Sequence, residues 1–412
     1  MNYLIRMGLR NLRRNRRRSL LAFLSVGLSV MLCVVLQGFL GGFLGSMVKN
    51  YTKNETGHIR ITTEGFISRA EFFPVDENIP DPAAIEKKLA ADRAVNDEIA
   101  LVTERISFGV LLENGGLNKT AMALAGDPTT EKQLLYLQRS IQPGGRYIEA
   151  SGETIVGDKL ASDLHLGVGS LLKVVTQASD GSLQLKKFRI VGLFKTGVTS
   201  FDDRIFQIPL DDAKQFLRTG GGVQQIIIML KDYRNAAKVA GQIRTLITEK
   251  NIAVQPWSAI GSFPAYFQMA SHIYSYIYIF VLFLGAFIIT NIMMMVVLER
   301  RKEIGILKAM GFSRREILAL FVWEGVFLGV WGSIAGAVAG VGINLLTRIN
   351  GVDVGSFSGA IAFPMDNVIY FQLNLPAVLG IVALGALIAG LMSFLPSRRA
   401  ARMNVVDAIK SV

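Results

Sequence analysis

Apolar residues are bunched along this chain. Four runs, Ser19–Gly45, Ile273–Leu298, Ile317–Leu346 and Leu375–Leu395, contain no Lys or Arg. Each is long enough, at about 1.5 Å per helical residue, to cross a hydrocarbon core of roughly 30 Å. Between the first two lies Ser46–His272, a block of ordinary soluble composition. The pattern predicts a membrane α-helical protein with four transmembrane helices and a large α+β extracytoplasmic domain between helices 1 and 2.

Within the block the period changes from segment to segment. "GHIRIT" (57–62) alternates like a short strand. "DPAAIEKKLAAD" (81–92) opens on an Asp cap and a Pro in the first turn, then reads as a helix. "SLLKVVTQASDGSLQLKKFRIVGLF" (170–194) is two strand-like runs around Ala178-Ser179-Asp180-Gly181, a hairpin signal. "VQQIIIML" (223–230) is a β-branched strand, 233–250 has helical periodicity, and "NIAVQPW" (251–257) is another strand. Strand–helix–strand at both ends with strands between predicts two lobes: an α+β lobe built from the two ends, and a β-rich lobe inserted in it.

Charge then orients the spans. The chain has 44 Lys and Arg against 32 Asp and Glu, a formal net charge of +12. Ser46–His272 nevertheless carries 26 basic and 25 acidic residues. The excess sits in residues 1–18 (seven Arg), in 299–316 (six basic residues) and in 396–412 (four). Basic residues beside spans stay on the cytoplasmic side. Segments 1–18, 299–316 and 396–412 are therefore expected in the cytoplasm, with 46–272 and the loop 347–374 outside and the spans at 19–45, 273–298, 317–346 and 375–395. Topology and anionic membrane lipid account for the basic residues, so nucleic acid is not an expected partner.

Arg16-Arg17-Arg18 before an apolar run and Cys33 look like a lipoprotein signal. Leu32 occupies the place of the small residue that cleavage needs, and the run continues to Gly45, so an uncleaved first span is expected. Cys33, the single cysteine, reads as an apolar packing residue. No G-x-x-x-x-G-K-[ST], H-E-x-x-H or G-x-S-x-G occurs, and the three His are scattered. No catalytic residue, metal site or cofactor is expected within the chain. The pairs Asp202-Asp203 and Asp211-Asp212 read as solvated loop acids. Glu324 is the one acidic residue inside a span; two turns from its helix start, it reads as snorkelling or paired with a structural partner rather than as a transport group. Gly325, Gly329, Gly332, Gly336 and Gly340, and the pairs Gly38/Gly42 and Gly41/Gly45, give small-residue faces for close helix packing, either within one subunit or at a dimer seam.

The charged stretch "LERRKEIGILKAMGFSRREILALFVWEG" (298–325) is more than a connector needs. Its Arg300-x-x-Glu303-Ile304-Gly305-x-Leu307-x-Ala309-x-Gly311, followed by Ser313-Arg314-Arg315 and a new span, resembles the signature loop of the MacB/FtsX/LolC superfamily of ABC-transporter permeases. The ending "LPSRRAARMNVVDAIKSV" (395–412) is similar to that of the family, with Asn404 where Pro is usual. "IVGDKLASDLHLGVGSLLKVV" and "FRIVGLFKTG" resemble its periplasmic core domain. The resemblance implies that 299–316 is a cytoplasmic coupling helix docked on an ATPase. In it Ile304, Leu307, Ala309 and Met310 would form an apolar face, Arg300, Glu303 and Lys308 would set register, Gly305 belongs to the motif, and Gly311 would end the helix.

Length and the strand after the first span resemble the lipoprotein-releasing LolC/LolE branch. That branch implies a permease in the bacterial inner membrane with both termini cytoplasmic and a second, like or unlike, permease subunit. It implies two copies of a separate ATPase subunit that bind ATP and Mg, a lipoprotein cargo and a periplasmic lipoprotein carrier. The fused ATPase of MacB is not expected. Acyl chains would meet Phe39, Leu40 and Phe43 of the first span and Ile273, Ile277 and Phe280 of the second, with Phe263 and Tyr266 at the interface. The glycines of the first span are expected to leave room for those chains. Alternatives are a tripartite-type exporter permease for peptides or antibiotics, and a membrane-anchored regulator of a cell-wall hydrolase.

Overall fold

The computed structural model describes residues 7, 16–135, 137–196, 199–353 and 368–403. The C-terminal element around Asn404 and most of the basic N-terminus lie outside the described residues. Two compact units divide the chain. One takes in Ser46–Tyr266; the other takes in the described residues up to Gly45, those of Phe267–Val354 and those from Val368 on.

The second of these is helical. Its long helices are Arg16–Tyr51, Phe263–Glu299, Arg314–Asn350 and Leu375–Arg402, and all four are long and apolar enough to cross a membrane. The first runs past its apolar stretch to Tyr51 and enters the other unit at Ser46. The third starts on a capping box, Ser313 with Glu316. The fourth starts on Asn374, whose side chain accepts from the Ala377 N–H, with Pro376 in the first turn. Valines 26, 30 and 34, Leu282, Ala286, Phe321, Leu328, Ala337, Val378, Ile381 and Ala389 form the buried core, with Cys33 among them.

The glycine stripe of the third helix faces inward. A Cβ at Gly332 would lie 2.9 Å from Val26 Cβ, and at Gly340 2.8 Å from Val34 Cβ. At Gly329 it would lie 2.7 Å from Ala389 Cβ. The stripe thus seats the third helix on the first and the fourth within one chain, which decides between the two packing roles left open by the sequence.

The other unit is built on β-strands. Their ranges are β1 Ile59–Thr63, β2 Ile99–Asn114, β3 Leu117–Gly126, β4 Glu153–Gly157, β5 Leu171–Gln177, β6 Leu183–Phe194, β7 Ile205–Pro209, β8 Gln225–Leu230 and β9 Ile252–Pro256. Pairing runs β2–β3–β7–β4–β6–β5 and returns to β2, closing a six-stranded ring. The sheet β2–β8–β1–β9 extends from the same strand. Helices Pro82–Ala91 and Ala236–Leu246 bury Ile85, Leu89, Val239 and Ile243 beside that sheet. Strand β2 thus serves two assemblies: Ile99–Arg105 pairs with β8, and Arg105–Asn114 with β3.

Arg105 sits at the switch. It is fully buried and bidentate to Glu131 (Nε–Oε1 2.9 Å, Nη2–Oε2 2.8 Å), and its Nη1 donates to the Asn54 carbonyl at 3.1 Å. A buried ion pair persists only when so completely hydrogen-bonded.

Candidate functional site

The charged segment between the second and third membrane helices starts where the second helix breaks. Arg300 leaves helical geometry (φ −89°, ψ 18°), and a separate helix, Arg301–Ala309, follows. Gly311 (φ +97°) ends it. The Phe312 N–H donates to the Leu307 carbonyl (3.1 Å) and the Gly311 N–H to the Lys308 carbonyl (3.0 Å). This is the paired closure a C-terminal glycine permits. Phe312 packs back on the membrane core, and Ser313 at once caps the next helix. The segment is held at both ends, at Arg300 and at Gly311–Ser313.

Three of the expected docking residues instead hold the segment to its own chain. Arg300 is buried, with Nη1 3.3 Å from Glu324 Oε1 and Nε 3.9 Å from Glu303 Oε2. Glu324 is thereby the structural partner of Arg300, and Arg300 is not an outward register charge. Lys308 Nζ donates to the carbonyls of Ala401 (2.8 Å) and Met403 (2.5 Å). A cation there satisfies the unpaired C=O groups that end the fourth membrane helix. Burial and the neighbouring Arg314 lower the pKa of Lys308. Ile304 is 1% exposed and belongs to the membrane core, so it offers nothing to an external groove. Gly305 is buried beside it.

The outward apolar face is formed by Ile306 (53% exposed), Ala309 and Met310, with Leu307 half-buried. Ile306 escaped the sequence reading because apolar residues occur all round this short helix. Periodicity alone leaves 304/307 and 306/309/310 as equally good faces.

The membrane residues expected to meet cargo fall into separate groups. Phe39 stacks with Phe43 (ring centroids 6.1 Å) and meets Phe371 edge-on at 5.5 Å. Leu40 is buried. The glycine face beside them is occupied, contrary to the expected space for acyl chains. The Gln372 N–H donates to the Gly38 carbonyl at 3.0 Å. The Asn344 amide covers Gly38, the Tyr370 backbone covers Gly42, and the Gln372 amide covers Gly45. Asn344 also donates to the Val34 carbonyl at 2.9 Å. These glycines admit polar side chains and backbone of the same chain, a role small residues share with cavity lining and that sequence does not separate from it.

On the second membrane helix, Ile273, Ile277 and Phe280 are exposed and continue into Leu284, Phe287 and Ile288 as one apolar stripe. The opposite side meets the first helix at Ser29 and Gly285, and at Cys33 and Tyr278. Phe263 stacks on Tyr51 at 4.4 Å, and Tyr266 is exposed.

In each acidic pair of the β-strand unit one member is buried rather than solvated. Asp202 and Asp212 are buried. Asp202 accepts from the Thr196 N–H and hydroxyl. Asp212 accepts from Ser151, the Gly152 N–H and Lys186. Each lies in a short helix: Asp202 holds the Thr196 loop, and Asp212 holds the Ser151–Gly152 turn and Lys186 of β6.

Four apolar helices, a large inserted α+β unit and a short charged helix between the second and third membrane helices describe a membrane protein of the permease type. Residues 19–246 match the MacB-like periplasmic core domain and residues 275–405 the FtsX-like permease C-terminal domain. The chain belongs to the MacB/FtsX/LolC superfamily of ABC-transporter permeases, in its LolC-like branch.

It is 27% identical over 323 residues to the lipoprotein-releasing system transmembrane protein LolC of Neisseria meningitidis serogroup B, covering 74% of this chain and 76% of that one. It is 27% identical over 278 residues to the ABC transporter permease MJ1507 of Methanocaldococcus jannaschii, covering 65% of this chain and 64% of that one. The pyoverdine export ATP-binding/permease protein PvdT of Pseudomonas syringae pv. syringae is 29% identical over 235 residues, 54% of this chain and 33% of that protein.

Proposed function

We propose that this permease works in the bacterial inner membrane. There it lifts lipid-anchored proteins out of the outer leaflet for a periplasmic carrier, driven by two copies of a separate ATPase and paired with a second permease subunit. The observation that carries the reading is the apolar stripe Ile273–Ile288 on the second membrane helix. It is exposed along its length, whereas Leu282, Gly285 and Ala286 of the same helix are buried. Similarity to LolC over about three quarters of both chains supports the same choice.

Acyl chains leaving lipid need an apolar surface throughout, since each CH₂ exposed to water costs about 0.8 kcal/mol. Ile273, Ile277 and Phe280 would supply that surface. Facing a second permease, the stripe would wall a lateral cavity. The coupling helix is held to the third membrane helix by Arg300–Glu324 and to the fourth by Lys308. Closure of the ATPase against Ile306 and Met310 would therefore move these helices with the segment, while the break at Arg300 leaves the second helix free to tilt.

Similarity to PvdT favours a second reading, an exporter of a small product. A photo-crosslinker at Ile277 tests both. Capture of a triacylated lipoprotein without ATP, lost when ATP is added, is the expected result. Crosslinks to a soluble product or a channel partner alone move the assignment to the exporter.

A further inference from the structure

We infer that the end of the fourth membrane helix is a binding site for one anionic phospholipid, its phosphate held by Arg398, Arg399 and Arg402. With Leu395 and Met403 these residues line a surface pocket of about 440 Å³.

Helical period builds the face. Leu387, Leu391, Phe394 and Leu395 are exposed, and so are the three Arg that follow. At about 3.6 residues per turn all of them fall on one side of the helix. The other side is buried at Ala389, Ser393, Ser397 and Ala400. One surface thus runs along the helix from apolar to cationic, the order of acyl chain and phosphate in a phospholipid.

The guanidinium groups are left to an outside anion. Among the described residues no carboxylate pairs with Arg398, Arg399 or Arg402, and Arg399 Nη1 makes only a weak contact to Met294 Sδ of the second helix, at 3.9 Å. Like charges three and four residues apart on a helix repel, so a bound anion stabilises the cluster. The negative end of the helix is already taken, because Lys308 holds the carbonyls of Ala401 and Met403. Arg300 differs, being buried against Glu324. A guanidinium fork matches phosphate oxygens two at a time. Cations without a neighbouring carboxylate favour a net negative headgroup over a zwitterionic one, whose ammonium they repel. Leu395 and Met403 favour a lipid over free phosphate, which has nothing to place against them. On the expected topology this end reaches the cytoplasmic leaflet, where basic pockets take anionic headgroups. General attraction to that surface would engage the exposed Lys302 equally; the pocket and its apolar approach distinguish this end.

The test uses the full-length chain purified in detergent with equimolar phosphatidylglycerol and phosphatidylethanolamine, read by native mass spectrometry. Retention of phosphatidylglycerol in preference to phosphatidylethanolamine is expected. Arg398→Gln combined with Arg402→Gln should lower that retention about thirtyfold, the loss expected of two basic residues at a membrane surface. Because both side chains are exposed, this variant should unfold at the same temperature as the parent. Arg398→Lys combined with Arg402→Lys, which keeps the charge, should restore most of the binding, and Lys302→Gln should leave it unchanged. Equal retention of the two lipids, or an equal loss from Lys302→Gln, overturns the proposal in favour of plain surface charge. Displacement of the lipid by soluble glycerol phosphate overturns it in favour of a phosphate site. A double Gln variant that keeps the lipid but no longer copurifies with an ATPase overturns it in favour of a protein contact.

Discussion

At Gly336 an added methyl group would land well inside van der Waals contact with the Gly27 carbonyl, whereas at Gly342, in the same helix, it would meet nothing within 4 Å. Backbone does not yield as a flexible side chain does. Gly336→Ala is therefore expected to destabilise by about 1–3 kcal/mol and Gly342→Ala by less than about 0.5 kcal/mol, read as thermal unfolding in detergent; equal effects would mean the first and third helices do not pack as described. His58 is a second such position. It is buried, and its Nδ1 accepts from the Leu230 N–H at 2.9 Å. Burial first, with Lys53 adding, pulls its pKa down to about 4. The unfolded chain, with an ordinary His near pH 6.5, binds the extra proton first as pH falls. The stabilisation is complete above pH 6.5 and lost on acidification toward pH 4, by up to about 3 kcal/mol. His58→Gln, whose amide oxygen can accept the same bond, should flatten the decline; an unchanged decline would place the sensitivity elsewhere. The identity of each of these residues is plain in the sequence, but the atom it faces is not, because the partner lies on another element.

The short helix Arg301–Ala309 shows how an element's limits can be legible while its orientation is not. Its limits followed from local chemistry, since Gly311 and the Ser313–Glu316 box act within a few residues. Its orientation depended on Glu324 and on the carbonyls of Ala401 and Met403, up to 95 residues away. Ile306→Asp is expected to leave the permease folded yet abolish stimulation of its ATPase in reconstituted complexes. Ile304→Asp should lower stability by several kcal/mol through an unpaired buried charge. A folded Ile306→Asp variant that transports normally would reduce the segment to a topological spacer. Strands β1, β5, β6, β8 and β9 were likewise legible from alternation and turn residues. The closure of β2–β7 into a ring was not, because which strands pair across the long intervals is set by packing of the whole unit.

For the whole molecule the expected topology has both termini cytoplasmic and Ser46–His272 outside. On a Cys33→Ser background, an impermeant thiol reagent added to intact cells with a permeable outer membrane should label a cysteine at Asp180 and spare one at Lys302. The reverse pattern would overturn the orientation. The basis is the near-balance of charge in the outer block against 17 basic residues in the three flanking segments.

Sequence by itself determined the number of membrane helices, the α+β insertion and the family. These depend on run length, local period, charge and short motifs, all properties of neighbouring residues. Tertiary structure alone decided that Arg300 and Glu324 pair, that Ile306 rather than Ile304 faces outward, and that the glycines of the first helix are covered by Asn344, Tyr370 and Gln372. Each of these depends on which distant elements meet. A periodic pattern marks which residues share a face; what that face meets is set only when the rest of the chain has packed around it.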